Sequence, residues 1–202
     1  MNVKSVQENC KEGELMNYVD WDETFMNAAA LFAKRSTCVK RQVGAVLVKD
    51  KRILGTGYNG TPPGFCNCDE VFEGHNKVDF QDGILRGYYK GKIIDHHTFS
   101  ERYEIHAEQN CLAFAAKNGV VTEGCTLYVT TAPCVHCAKL IVAAGIKEVI
   151  FRDIYKYSDG VDFLNDETAV TVKKMNLVDD VWMTYPYNVW KKNKEKFNEV
   201  SE

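Results

Sequence analysis

Two short stretches of the chain carry side chains at spacings that suit metal chemistry: His106-Ala107-Glu108 and Pro133-Cys134-Val135-His136-Cys137. Cysteines three apart at a helix start face one side, because the first turn stacks i over i+3. A histidine from a second helix start completes a Cys2His set. Such a set leaves the fourth tetrahedral position of a zinc ion open to water, the pattern of a catalytic rather than a structural zinc. The positive ends of both helices favour thiolates there. Glu108 follows His106 by two residues, so on a regular helix the two would diverge. At a helix entrance the backbone can turn both into one pocket, where Glu108 can act as general base and then general acid. A Cys-x-x-Cys pair alone could be redox-active or structural, but a redox pair has no need of His-x-Glu upstream. A structural Cys2His2 set would have to recruit His136, which lies between the cysteines and is expected to point elsewhere.

The elements that must position these residues are legible from periodicity. Trp21, Phe25, Ala28 and Phe32 fall at helical spacing behind Asp20 or Asp22 as a cap. The run 43–60 reads as two strands, 43–48 and 53–58, joined by a short charged turn. Residues 61–104 are rich in Gly, Pro, Cys, His and charge without long periodicity, so they read as a long loop that metal ligation would keep ordered. A helix is expected at about 106–117, stopped by Asn118-Gly119. Strand 126–130, helix 134–144 and strand 148–151 follow as a strand–helix–strand unit, which favours parallel pairing through a right-handed crossover. A weaker strand at 169–172 and a charged helix around 188–199 complete the chain. The expectation is an α/β protein in three layers, α-β-α, with a mixed sheet of about five strands. Residues 1–19 read as a leader, 20–173 as the domain, and 174–202 as a partly helical C-terminal extension.

Composition bounds the functions open to it. The chain has 202 residues, 45% hydrophobic and 26% charged, with a formal net charge of -3. That length allows one compact domain. No apolar run approaches the ~20 residues that span a bilayer, and the N-terminus is polar, so a cytoplasmic protein without membrane attachment is expected. The slightly acidic balance, with acidic residues at Asp69, Glu70 and Glu73, suits a small substrate better than a polynucleotide. Of the eight cysteines, Cys111 and Cys125 sit in apolar or strand-like context and read as core. Cys10 is given no role.

His-x-Glu followed by Pro-Cys-x-x-Cys is a known signature of zinc base deaminases, in which the Glu is not a metal ligand. The chain resembles the deoxycytidylate (dCMP) deaminases, phage and bacterial type, within the cytidine deaminase-like superfamily. The motifs that carry this are STCVKRQVGAVLV (36–48), GYNGTPPG (57–64), IHAEQNCLAFAAKNG (105–119), YVTTAPCVHCAKLIVAAGIKEVIF (128–151) and Tyr155-Lys156. The resemblance implies a cytidine deaminase-like fold and zinc-dependent hydrolysis of dCMP to dUMP, which supplies thymidylate synthesis. It implies a catalytic zinc on His106, Cys134 and Cys137 with Glu108 as the proton carrier. Asn59 would bond the sugar, although an Asn beside Gly60 is also an ordinary turn residue. Arg41, Tyr155 and Lys156 would face the 5′-phosphate, which charge-assisted hydrogen bonds would recognise. Ala107 backbone, Thr131 and Ala132 would line the base pocket.

The resemblance further implies a second, structural zinc on Cys38, Cys68, His96 and Glu104, with Cys66 and His97 as rival ligands. It implies a homo-oligomer, a hexamer, activated by dCTP and inhibited by dTTP at an effector site near Gly57, Tyr58, Asn59 and Gly60. In a phage-encoded enzyme the place of work would be the host cytoplasm. Lys40-Arg41 stands where relatives commonly have two arginines, and Asn67-Cys68 where they have His-Cys. Other readings stay open: a dual dCMP/dCTP deaminase, a tRNA or single-stranded DNA base deaminase, and a non-enzymatic zinc module. The last would have no use for Glu108, and a polynucleotide enzyme would want a basic or aromatic track.

Overall fold

The computed structural model describes residues 20–81, 83–154 and 158–175. Among them are six helices and eight strands. Helix α1 (Trp21–Ala33) starts on Asp20, whose carboxylate accepts the Asp22 N–H at 2.9 Å. Strands β1 (Gly44–Lys49) and β2 (Arg52–Tyr58) form the expected hairpin. Helix α4 (Ala107–Lys117) and strand β6 (Thr126–Thr131) come next in the main layer, then α5 (Val135–Ala143), β7 (Glu148–Asp153), α6 (Asp159–Glu167) and β8 (Thr171–Lys174). Helix α6 lacked a sequence expectation, and β8 sits two residues later than the expected 169–172.

The main sheet runs β2-β1-β6-β7-β8. β1 is antiparallel to β2 and β6, while β6, β7 and β8 are parallel, so the sheet is mixed, as expected. Strand alternation divides the buried side chains between its faces. Val46, Val48, Tyr128 and Ile150 meet Phe25, Met26 and Ala29 of α1 on one side. Ala45, Leu47, Leu127, Val129, Val149 and Phe151 meet Ala107, Cys111, Ala115, Ala138, Ile141 and Leu164 of α4, α5 and α6 on the other. Cys111 and Cys125 are fully buried in that second core. Gly57 lets β2 press against α4: a Cβ there would lie 2.2 Å from the Ala107 carbonyl oxygen and 2.5 Å from Cys111 N.

Residues 61–104 depart from the expected loop. They fold into α2 (Cys68–Phe72), a 3-10 turn, a three-stranded antiparallel sheet β3 (Lys77–Gln81), β4 (Ile84–Tyr89) and β5 (Lys92–Asp95), and helix α3 (His96–Tyr103). A separate core holds them: Cys38, Cys68, Val71, Phe72, Tyr89 and Phe99. Its aromatic rings meet edge to face, Phe72 to Phe99 at 5.3 Å and Tyr89 to Phe99 at 5.4 Å between centroids. Burying a ring such as Phe99 contributes on the order of 2–3 kcal/mol. The segment is thus ordered by packing as well as by any metal. The overlooked signal was the Lys90-Gly91 pair, both at positive φ (48° and 79°), which makes the tight β4–β5 hairpin. The leader 1–19, the extension beyond 175 and the expected helix at 188–199 lie outside the described residues.

Candidate active site

Two helix entrances converge at the C-terminal end of β6. His106 is the N-cap of α4, with extended backbone (φ -69°, ψ 157°), and Cys134 is the N-cap of α5 (φ -74°, ψ 168°). His106 Nδ1 lies 3.6 Å from Cys134 Sγ and 3.4 Å from Cys137 Sγ. The three donor atoms all fall within 4.8 Å of one another, a spacing that could hold one metal ion. A hydrogen bond from Cys137 and the neighbouring His106 hold Cys134 down at about 3, while Cys137 is pushed up by sharing its proton with Cys134. The same Cys134 contact raises His106 to about 9. Such a soft S2N donor set with one site left over fits a zinc ion.

Glu108 sits in the first turn of α4, only 4% exposed. Because His106 is extended and Glu108 helical, both reach one cavity, of about 1090 Å3, which Cys134 also lines. Burial is the main cause that raises the Glu108 carboxyl to about 7. The stretch before it is tied down: Gly60 and Ile105 exchange two backbone hydrogen bonds, of 3.1 and 2.8 Å. Gln109 adds another, its side chain accepting the His106 N–H at 3.0 Å.

Arg41, Asn59, Ala107, Thr131 and Ala132 line the same cavity. Asn59 is 8% exposed and uses both ends of its amide on the 41–43 segment. Its Oδ1 accepts the Val43 N–H at 2.7 Å and its Nδ2 donates to the Arg41 carbonyl at 3.0 Å. Arg41 Nε donates to Thr131 Oγ1 at 3.1 Å. Of the residues expected near an effector, Gly57 is closed off by α4, whereas Tyr58 is exposed and gives its carbonyl to Asn110 Nδ2. Tyr155 and Lys156 lie outside the described residues. The sequence reading missed Arg86, Asp95, Glu101 and Asp159, which also line the cavity. The first three belong to the segment taken for a loop, so no face could be assigned to them; Asp159 belongs to the unforeseen α6.

A second donor group opens on the same cavity. Cys38 Sγ and Cys68 Sγ lie 3.5 and 3.3 Å from His96 Nε2, and all three residues are buried. Cys68 lowers Cys38 to about 4 through a hydrogen bond and is itself raised. Glu104 accepts a hydrogen bond from Ser100 on Oε2, while its buried Oε1 has no partner. Burial and the adjacent Cys38 raise its carboxyl. Glu104 lies next to this group, but only Cys38, Cys68 and His96 bring donor atoms within 4.8 Å of one another. The rivals face solvent: Cys66 is exposed, and His97 pairs with Glu101 at 3.7 Å with both side chains more than 70% exposed. Among the described residues, no helix is long and apolar enough to cross a membrane.

Residues 19–153 match the family model described as the cytidine and deoxycytidylate deaminase zinc-binding region. The chain is 34% identical over 186 residues to ComE operon protein 2 of Bacillus subtilis, covering 92% of this chain and 84% of that one. It is 34% identical over 193 residues to the deoxycytidylate deaminase of Enterobacteria phage T4, covering 87% and 93%. Among solved structures it is similar to the dCMP deaminase of cyanophage S-TIM5 in complex with dCMP and dUMP. That likeness has 36% identity and a TM-score of 0.59, over 76% of this chain and 95% of that one.

Proposed function

Because the chain belongs to the cytidine and deoxycytidylate deaminase family, we propose that it hydrolyses dCMP to dUMP and ammonia, with a zinc ion on His106, Cys134 and Cys137. The observation that carries this reading is the buried Glu108 carboxyl in one cavity with the His106 and Cys134 donors. The similar phage dCMP deaminase is known in complex with dCMP and dUMP. A bound zinc would supply a Lewis acid that makes water acidic enough to attack at neutral pH.

The chain's own groups do the rest. Glu108 takes a proton from the attacking water and gives it to the ring nitrogen N3. As the C4–N bond breaks and C4 keeps the oxygen, Glu108 carries the second proton to the leaving amine, which departs as ammonia. Thr131, Ala132 and the Ala107 backbone shape the base end, Asn59 meets the sugar, and Arg41 faces the 5′-phosphate with Tyr155 and Lys156. The unbonded Glu104 Oε1 supports a second zinc, on Cys38, Cys68, His96 and Glu104. We extend the reading to a cytoplasmic homo-oligomer, a hexamer, controlled by dCTP and dTTP near Tyr58–Gly60.

Zinc-loaded protein offered dCMP, dCTP, CMP, deoxycytidine and a tRNA tests the substrate. Turnover of dCMP that disappears in Glu108→Ala with zinc still bound is the expected result. Turnover of tRNA alone would refute the substrate while leaving the chemistry. Rates on dCMP that do not respond to added dCTP or dTTP would remove the effector site.

A further inference from the structure

The parallel strands β6 and β7 end with Thr131 opposite Asp153. Asp153 Oδ2 accepts two hydrogen bonds from Arg152, from Nε at 3.1 Å and a terminal nitrogen at 2.7 Å. The same oxygen lies 3.9 Å from a terminal nitrogen of Arg41, whose Nε bonds Thr131. The Asp153 carbonyl also accepts the Ala132 N–H at 2.7 Å. Arg41, Thr131 and Ala132 line the cavity, and Asp153 and Arg152 do not. Asp153 therefore touches the cavity's chemistry through Arg41.

Arg152 is largely enclosed, with its side chain 13% exposed, so the carboxylate it grips is held in place rather than waving in solvent. Within this trio Asp153 stands against Arg41, the member that lines the cavity, where Lys40 and Arg86 also lie. We propose that Asp153 is a specificity-determining residue: it offsets part of the positive charge behind Arg41, so that this wall suits a phosphate monoester rather than a triphosphate. The inference rests on the reading that Arg41 faces the 5′-phosphate. A monoester brings a charge of about -2 at neutral pH. Each further charge on a longer phosphate chain adds repulsion from a nearby carboxylate. Arg41 and Asp153 are partly exposed, so the effect is moderate and screened by salt.

Calorimetric titration of the zinc-loaded full chain with dUMP and with dUTP, at low and high salt, reads this directly. Asp153→Asn should raise the dUTP-to-dUMP affinity ratio by about three- to ten-fold at low salt and by less at high salt. Arg152→Gln should lower the ratio, because it removes a cation that grips Asp153. Asp153→Glu should stay near the wild type. A merely structural disturbance would move the two charge variants in the same direction, so the opposite signs are the discriminating result. If one variant fails to fold, the salt dependence of the other's shift decides, because a packing disturbance would not fade at high salt. A ratio that is unmoved, or that shifts alike in both, overturns the proposal. A wild type that deaminates dCMP while its variants show no such shift sinks this inference alone. A wild type that neither turns over dCMP nor binds dUMP sinks the underlying reading with it.

Discussion

The two Cys2His groups use the same donor types, yet their surroundings differ. In the group at the two helix entrances, His106 and Cys134 are half-buried and reach the cavity, and a carboxylate that is not a donor, Glu108, is buried nearby. In the other, Cys38, Cys68 and His96 are all buried, and the His96 ring lies 5.1 Å from Phe72 in a small aromatic core. Its neighbouring carboxylate, Glu104, has one unbonded buried oxygen and is proposed as a fourth donor. Under the proposed assignment the same donor types would serve opposite tasks. An open fourth position beside a proton carrier suits chemistry, whereas a filled one inside a core suits structure.

The largest expected break in that comparison comes from Glu108→Ala, which should cost on the order of 10²–10⁴ in kcat with metal content unchanged. The carboxamide variant Glu104→Gln should do the reverse, losing metal at the second group while retaining part of the activity. Metal analysis beside steady-state rates reads both.

Next in size is the stability effect of His96→Ala. It removes a proposed metal ligand and a ring packed on Phe72, so a loss of about 2–4 kcal/mol is expected in denaturant unfolding. The intact protein should carry two zinc ions per chain, falling to one in Cys68→Ser. One zinc in the wild type, unchanged in that variant, would remove the second site.

A subtler contrast is kinetic. A chelator should strip the half-exposed His106 group before the enclosed Cys38 group, so activity should vanish while most of the thermal stability remains. Simultaneous loss of both would mean that the two ions are coupled. The smallest effects belong to Cys66→Ser and His97→Ala, each expected within about 0.5 kcal/mol of the wild type and with full metal content. A lost zinc in either would reverse the choice of ligands.

Much of the main layer could be read from the chain. Short β-rich apolar runs marked β1, β2, β6 and β7, and Asn118-Gly119 marked the end of α4, because these signals act over a few residues. The 61–104 segment could not be read this way. Its strands are short and carry charge (KVDFQ, ILRGYY, KIID), and their inner residues Leu85 and Ile94 face a core supplied by α2 and α3. Helix α6 was missed for a related reason: apart from Leu164, its only other fully buried position is Gly160.

By itself the sequence determined which residue types stand at ligand spacing: Cys134 and Cys137 one turn apart, and Glu108 two places after His106. Local backbone geometry at a helix entrance follows from a few neighbours, so these relations survive without knowledge of the fold. Only the tertiary structure decided that His106 meets those cysteines within 3.6 Å, that Cys68 and His96 rather than Cys66 and His97 are enclosed, and that Asp153 stands against Arg41. Burial and long-range contact depend on how sheets and helices stack, and adjacent residues such as His96 and His97 differ in nothing else.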